Sequence, residues 1–306
     1  MRILVTRLSA LGDVIHTIPA VSILSPVAEV TWVVEEPYAE LIEIVAGVST
    51  IPVRLKRWAR APIRSRAAAS EAFRRMRSFD VAIDFQGLIK SAGLAWLSRA
   101  PLRFGFDRDA IREKAALVFT NRRIPIDRAR HVVDWNRQLA EAVTNNRTPA
   151  PERWSDFASD PHHKTDRYAG RIVLLPGAGN PNKLWSTRGF RAIADRYSGQ
   201  TVVGWGPGER HLAEAIGGDI APETNLRELA ALLANAVAVV GADTGPIHLA
   251  AAMGRKVVGL HAPTDPRRNG PYGQIDSTID HYRSGQHQMD SIRTDEVLAR
   301  LEEVLG

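Results

Sequence analysis

The stretch "VVGADTGPIHLAAAMG", Val239–Gly254, holds one complete structural unit. The apolar run Val237–Val240 reads as a strand buried on both faces. Asp243, Thr244 and Gly245 form the turn. Pro246 stands near the first helical position, which suits its fixed φ and missing N–H. Ala250–Ala252 are small enough for that helix to pack tightly on a sheet. Free N–H groups and the helix dipole at such a junction favour an anion, here a diphosphate held by the Thr244 and Gly245 N–H groups. Gly245 lets a ligand approach the backbone, and His248 lies one turn further on. The same residues also read as an Asp/Thr N-cap on a buried helix.

This strand–turn–helix grammar repeats in both directions. Upstream, "GRIVLLPGAG" (170–179) is a strand with a Gly-rich turn, and "STRGFRAIADRYS" (186–198) is a helix capped by Ser186 or Thr187. "QTVVGWG" (200–206) is a strand, and "PGERHLAEAIGG" (207–218) is a helix stopped at Gly217 or Gly218. "NLRELAALLANA" (225–236) carries Leu226, Leu229, Leu232 and Leu233 at helical spacing. Downstream, "KVVGLHAP" (256–263) is a strand. "TDEVLARLEEVLG" (294–306) is an amphipathic helix with Thr294 as N-cap.

The N-terminal half alternates in the same way. "RILVT" (2–6), "EVTWVVE" (29–35), "DVAIDFQG" (80–87) and "LRFGFD" (102–107) are strands. Val14–Leu24, Tyr38–Val45 and Leu88–Ala100 are helical. Such alternation predicts an α/β protein with parallel sheets covered on both faces. The pattern stops over Asn145–Lys164, where Pro149, Pro151 and Pro161 stand among polar residues as in a linker. We therefore expect two domains, 1–150 and 165–306, with ligands in the cleft that two such halves imply.

The bulk composition narrows the class. The chain has 306 residues, 44% hydrophobic and 24% charged, an ordinary globular balance. No apolar run is long enough to span a membrane. Arg7, Asp13 and His16 interrupt the N-terminus, which reads as strand and helix rather than as a signal peptide. Absence of cysteine excludes disulfides and thiolate zinc sites and fits a cytoplasmic chain. The net charge of +6 is concentrated locally. Between Arg54 and Arg77 the basic residues face a single acid, Glu71. That segment suits a polyanion or an anionic membrane face, and reads equally as a solvated loop and helix.

Several smaller constellations carry chemistry. Gly177, Ala178 and Gly179 end a strand, and Lys183 follows. They resemble a phosphate-binding loop only loosely, since no Ser or Thr follows the lysine. Even so, a lysine near Gly-rich backbone can neutralise a leaving phosphate. Glu209 stands at a strand-to-helix junction, where an acid can bind ribose hydroxyls or simply complement the helix dipole. Gln86, Gly87 and Lys90 follow a first-half strand. "APTDPRRNGPYG" (262–273) reads as a turn. In "LSALGDVIHTIPA" (8–20), Asp13 occupies a turn of the kind that elsewhere receives a phosphate. Asp107–Asp109 matches a metal-diphosphate spacing only trivially, and His162, His163, His281 and His287 form no ligand set, so no metal site is expected. No "GxSxG" elbow occurs.

Taken together, "GADTGPIHLAAAMG", "HAPTDPRRNGPYG" and "LSALGDVIHTIPA" resemble the heptosyltransferases of glycosyltransferase family 9, and the likeness runs over nearly the whole chain. "WVVEEPYAEL", "RLKRWAR" and "VAIDFQGLIKSAGL" look most like the members that add the first L-glycero-D-manno-heptose from ADP-heptose to Kdo-lipid A. The resemblance implies a GT-B fold of two Rossmann-like domains, acceptor-binding and then donor-binding. The C-terminal helix would pack back on the first domain. It also implies inverting transfer without a metal or cofactor. Asp13 would be the general base, and Lys183 would bind the donor phosphates. Asp243, Thr244, Gly245 and His248 would hold the sugar and diphosphate. Glu209 would reach the ribose, and Thr224–Leu226 would border adenine. Ser9, Gly12, Arg57, Arg60, Gln86 and Lys90 would face the acceptor. The implied partners are ADP-heptose, a Kdo-lipid A type acceptor and the anionic inner-membrane surface. The protein would be a monomer on the cytoplasmic face and would bind no nucleic acid. Two departures stand out: Ala178 and Gly179 replace two threonines before the donor lysine, and Arg267 and Arg268 are added to the "RNGPYG" loop. They leave two alternatives: another nucleotide sugar or a later core acceptor, or a nucleotide-binding module without turnover.

Overall fold

The computed structural model describes residues 1–46, 48–145 and 164–306. The chain divides into two compact units, Met1–Pro151 and Glu152–Gly306. Most of the proline-containing stretch read as a linker, with His162 and His163, lies outside the described residues.

In the first unit six strands form one parallel sheet: β1 (Arg2–Thr6), β2 (Glu29–Glu35), β3 (Ser49–Val53), β4 (Val81–Asp84), β5 (Leu102–Phe106) and β6 (Arg122–Ile124). Their order is β3-β2-β1-β4-β5-β6. This is the doubly wound order in which ligands bind beyond the carboxyl ends of the strands, at the point where the order reverses. Here that point lies between β1 and β4. Ile3, Leu4 and Val5 are fully buried, as a two-faced central strand requires.

Three sequence expectations change in this unit. The helix expected over Val14–Leu24 is two helices, Leu11–Ile15 and Ile18–Leu24. Pro19, at the start of the second, supplies no N–H to continue the first. Strand β3 was not expected, because Pro52 interrupts its pattern; it is an edge strand, where a missing donor is tolerated. The helix Val132–Thr144 was also unexpected. It buries Val132, Val133, Trp135, Leu139 and Ala140 and packs on Ile18–Leu24. The basic segment after β3 forms two helices, Leu55–Arg60 and Pro62–Arg75.

The second unit has β7 (Ile172–Leu175), β8 (Thr201–Val203), β9 (Ala238–Ala242), β10 (Lys256–His261) and β11 (Ile279–Asp280). They form a parallel sheet in the order β11-β10-β9-β7-β8, which reverses between β7 and β9. Its core includes Leu174, Val240, Val258, Phe190 and Ile193, all 0–1% exposed. Burial stabilises each by roughly 1.5–3 kcal/mol. Trp185 meets Phe190 edge to face at 4.9 Å and donates its Nε1–H to the Ile292 carbonyl at 2.9 Å.

Local signals place most helix ends here. Ser186 caps the helix Thr187–Arg196. Gly217, at φ +81°, ends Arg210–Ile216. Asn225 and Glu228 form a capping box on Leu226–Ala234. Thr294 is not an N-cap; it is the first residue of the helix Thr294–Leu305, after Arg293. This helix packs on its own unit. Its apolar residues Val297 and Leu301 are spent in the core of the second unit, against β10 and Thr187–Arg196. The "APTDPRRNGPYG" turn contains a short helix, Pro266–Asn269, capped by Asp265. Among the described residues no helix is long and apolar enough to cross a membrane.

Candidate active site

At the reversal point of the first sheet, β1 runs into Arg7 and on to the helix Leu11–Ile15, which bears Asp13 in its first turn. A carboxylate there is favoured by the helix dipole. Arg7 fixes it more strongly. The guanidinium, 5% exposed, contacts Asp13 Oδ1 through Nη2 at 2.7 Å and donates through Nη1 to the Phe85 carbonyl. Arg112, from beyond β5, adds its Nη2 at 3.2 and 3.3 Å from the two Asp13 oxygens. Burial works to raise the Asp13 carboxyl, but the charges of Arg7 and then Arg112 prevail and hold it below the usual carboxylate range. Asp13 is therefore ionised at neutral pH, with 23% of its side chain in solvent.

The loop carrying Arg7 and Asp13 is braced from β4. Asp84 is buried and accepts bonds from the N–H groups of Gln86 and Gly87 at 3.0 and 3.1 Å and from the Thr6 hydroxyl at 3.2 Å. Burial dominates and raises its carboxyl to about 6, against those hydrogen bonds and one from Ser91. Gln86 accepts the Leu8 N–H at 3.0 Å and donates to the Ser9 carbonyl at 3.2 Å. Its buried amide is thus spent on backbone. Gln86 thereby positions the loop.

In the second unit, β7 and β9 end in the two glycine-containing turns singled out in the sequence. Between them lies a pocket of ≈ 250 Å³. Gly177, Ala178, Gly179, Glu209, Thr224, Leu226, Thr244 and Gly245 all line it. Leu226, which the resemblance places beside the adenine, forms part of its wall together with Leu229. The sequence reading passed over Trp205, whose side chain also lines the pocket. Its Nε1–H is anchored on the Ala221 carbonyl at 2.8 Å. An aromatic beside glycines was the available signal. Glu209 accepts the Gly206 N–H at 2.9 Å and lies over Gly177 so closely that a Cβ there would stand 1.9 Å from its Oε2. Thr244 starts the helix Gly245–Ala252 without a side-chain cap bond. The Asp/Thr cap is therefore not formed, and Pro246 has no N–H to satisfy.

Asp243 faces away from capping and gathers a buried cluster. His248 Nε2 lies 2.8 Å from Oδ1; a carboxylate only accepts, so Nε2 carries the hydrogen. Lys183 donates to Oδ2 at 2.7 Å and to the Asp243 carbonyl at 2.9 Å. Asn269, from the short helix after β10, donates to Oδ2 at 3.1 Å. Burial would raise this carboxyl, but the His248 hydrogen bond and charge and the Lys183 ammonium hold it far below the usual range. His261, buried nearby, is lowered to about 4 by burial, against the pull of Asp243. Lys183 thus uses two of its three donors on Asp243, which leaves one for an anion.

The other expected acceptor residues lie on the first unit. Arg57 lines a groove with Arg54, Trp58 and Arg64, while Arg60 and Lys90 are exposed. Lys90 and Lys56 offset the burial that raises the Glu35 carboxyl. Ser9 and Gly12 are half-buried in the Asp13 loop. Among the described residues no group of three His, Asp or Glu side chains could hold a metal ion.

Comparison with known proteins agrees with this architecture. The family model for glycosyltransferase family 9 (heptosyltransferase) matches residues 70–295. Lipopolysaccharide heptosyltransferase 1 of Escherichia coli K12 is 32% identical over 295 residues, which cover 90% of this chain and 92% of that protein. The enzyme of the same name from Pseudomonas aeruginosa is 34% identical over 297 residues, covering 90% and 82%. Among solved structures, the E. coli heptosyltransferase WaaC with ADP gives a TM-score of 0.86 at 27% identity, covering 99% of this chain and 100% of that one. WaaC with ADP-2-deoxy-2-fluoro heptose gives 0.84 at 27% identity, covering 99% of each chain. With its two parallel-sheet units in the GT-B arrangement of strands, the chain belongs to glycosyltransferase family 9 and is a glycosyltransferase.

Proposed function

We propose that this chain transfers L-glycero-D-manno-heptose from ADP-heptose to the Kdo of Kdo-lipid A, inverting the anomeric centre and using no metal. The observation that carries the reading is the pocket beyond β7 and β9. It offers an apolar and aromatic wall for a base, Glu209 at one rim for ribose hydroxyls, and an uncapped helix start at Thr244 and Gly245 for a diphosphate. The relatives support the donor: WaaC is described with ADP and with an ADP-heptose analogue.

The chemistry follows from the charges. Asp13, kept ionised by Arg7 and Arg112, takes the proton of the acceptor hydroxyl as that oxygen attacks the anomeric carbon. A carboxylate with a lowered pKa is a weak base at equilibrium. It accepts the proton only as the new C–O bond forms and the hydroxyl becomes acidic. The C–O bond to the diphosphate breaks on the opposite face, and ADP leaves with the bonding electrons. The remaining Lys183 N–H and the Gly245 helix start stabilise that growing charge. Asp243, through His248 and Asn269, keeps Lys183 in place.

A donor–acceptor panel tests the reading. Purified protein is given ADP-heptose and other nucleotide sugars, with Kdo-lipid A or an already heptosylated core, with and without chelator, and ADP release is followed. ADP-heptose with Kdo-lipid A should be turned over fastest, and equally in chelator. Faster turnover of the heptosylated core, or ADP binding without release on any acceptor, would reject it.

A further inference from the structure

The donor of the reaction proposed above has a linear order: base, ribose, diphosphate, sugar. The strands of the second sheet also have an order, and the first three parts fall along it. Trp205 and Glu209 follow β8, residues 177–179 follow β7, and Thr244 and Gly245 follow β9. The nucleoside wall therefore stands beyond β8 and β7, and the phosphate turns stand beyond β7 and β9. The next strand along is β10. Adjacent strands are about 4.8 Å apart, so its carboxyl end lies one short step past the diphosphate. Residues 264–269 occupy that end, and the reaction as derived gives them only a brace on Asp243.

Two half-buried side chains there keep unused hydrogen-bonding capacity. Asn269 points Nδ2 at Asp243 Oδ2, 3.1 Å away, because a carboxylate only accepts. Its Oδ1 is left as an acceptor that no hydrogen bond among the described residues uses. Thr264 is held by His261. That ring is fully buried and, lowered to about 4 by burial, is neutral with a single N–H. Its Nε2 has no hydrogen-bond partner and lies against Gly259, where the other nearest atoms are carbons of Pro271 and Thr278. A hydrogen at Nε2 would be an orphaned buried donor, a rarer defect than an unused acceptor. The hydrogen therefore sits on Nδ1, which donates to the Thr264 hydroxyl oxygen at 3.3 Å. Thr264 accepts that bond, and its own hydrogen is free to donate to a ligand.

We propose that the end of β10 reads the transferred sugar: Asn269 Oδ1 accepts a hydrogen bond from one sugar hydroxyl, and Thr264, aimed by His261, donates to another. Sugar hydroxyls both donate and accept, so an acceptor and a donor on one strand end suit a polyol. A further phosphate would find no match in the Asn269 oxygen. Asp243 has little left for this task. His248, Lys183 and Asn269 already occupy three of its roughly four acceptor sites. The proposal deepens the functional reading and rests on it for the presence of a sugar on the diphosphate.

The test is equilibrium titration of the full chain without acceptor, so that neither Asp13 nor turnover enters. ADP, ADP-heptose, ADP-mannose and ADP-glucose are titrated against the parent, Asn269→Leu and Thr264→Val. Both substitutions nearly keep the side-chain shape; Asn269→Ala repeats the first without its bulk, and melting curves check each fold. ADP alone should bind the variants as it binds the parent. The sugar nucleotide that the parent prefers should bind each variant about 3- to 10-fold more weakly, the worth of one hydrogen bond. The Asn269→Leu loss should vanish with the one monodeoxy form of that sugar that lacks the hydroxyl it reads. His261→Phe should lose what Thr264→Val loses, and the two together no more; a larger combined loss would separate His261 from Thr264. A fall of ADP and sugar nucleotide by the same factor would mean that Asn269 only braces Asp243 and would overturn the proposal. So would unchanged affinity for every sugar nucleotide in either variant, or a loss that no deoxy form removes. A parent that prefers ADP-glucose would reject the heptose donor and keep the proposal, provided that the loss follows glucose. Parental affinity and turnover of ADP-heptose in both variants would keep the transferase reading and remove this one.

Discussion

Gly177→Ala is the most informative single perturbation of the donor pocket. The backbone at this glycine is not left-handed, so an alanine strains nothing by itself. Its methyl would, however, stand 1.9 Å from Glu209 Oε2 and 2.2 Å from Cδ. The end of a flexible glutamate can swing away, so the fold survives. Swinging away breaks the bond from the Gly206 N–H, now 2.9 Å long, and withdraws the carboxylate from the pocket rim. Hydrogen bonds to a charged group are worth about 1.5–3 kcal/mol. If Glu209 spends a bond of that kind on the ribose, ADP should bind about 10- to 150-fold more weakly. The carboxylate moves into water, so the melting temperature should fall by no more than about 4 °C. Isothermal titration of ADP against Gly177→Ala, Glu209→Ala and the double variant measures the coupling. The double variant should bind no worse than Glu209→Ala alone, because the three atoms nearest the methyl, all of the Glu209 carboxylate, are then gone. Parental affinity in Gly177→Ala, or an equal further loss when Glu209 is already alanine, would show that the glycine does not act through Glu209.

Three further outcomes are expected. Asp13→Asn should keep the fold and ADP binding but cut turnover by about 10²–10⁴-fold, the usual contribution of a general base; near-parental turnover would remove Asp13 from that role. Lys183→Met should lower stability by about 1–3 kcal/mol, since Asp243 loses a charge-assisted bond while His248 and Asn269 remain, and should slow ADP release. Urea melts and single-turnover assays would check both effects, and unchanged values would contradict the cluster. Asp84→Asn bears on pH dependence. The folded carboxyl is raised to about 6 from 3.8, so the native state holds its proton where the unfolded chain has lost it. Stability from this group is therefore greatest below pH 3.8 and falls as pH rises through about 6, by ~3 kcal/mol. The stability of Asp84→Asn relative to the parent should rise by that order between about pH 4 and pH 7; a flat difference would exclude the buried carboxylate as its cause.

Much of each unit can be read locally. Strand and helix alternate because burial on two faces and on one face leave different periods, and both are visible in short windows. Ser186, Asn225 and Gly217 end helices by bonds or φ angles that reach only a few residues. The pocket residues were recognisable because a glycine turn between a strand and a helix has the same chemistry wherever it occurs. Helix Val132–Thr144 and strand β3 escaped because their signals are weak in isolation. One mixes Asn136 into its buried face, and the other contains Pro52, acceptable only at an edge.

Asp13 shows the division most clearly. Its sequence establishes a carboxylate in the first turn of a helix that comes after a buried strand, and no more. That it is gripped by Arg7 and by Arg112, the latter 99 residues away, depends on β1 and β4 lying side by side and on the path of the chain after β5. The Lys183–Asp243 pair, 60 residues apart, likewise exists because β7 lies beside β9. Local sequence sets which chemical groups stand at the ends of strands, because strand and turn propensities act over a few residues. Which of those groups meet is set by sheet order, since electrostatic and hydrogen-bond energies depend on distances that only the packed chain determines.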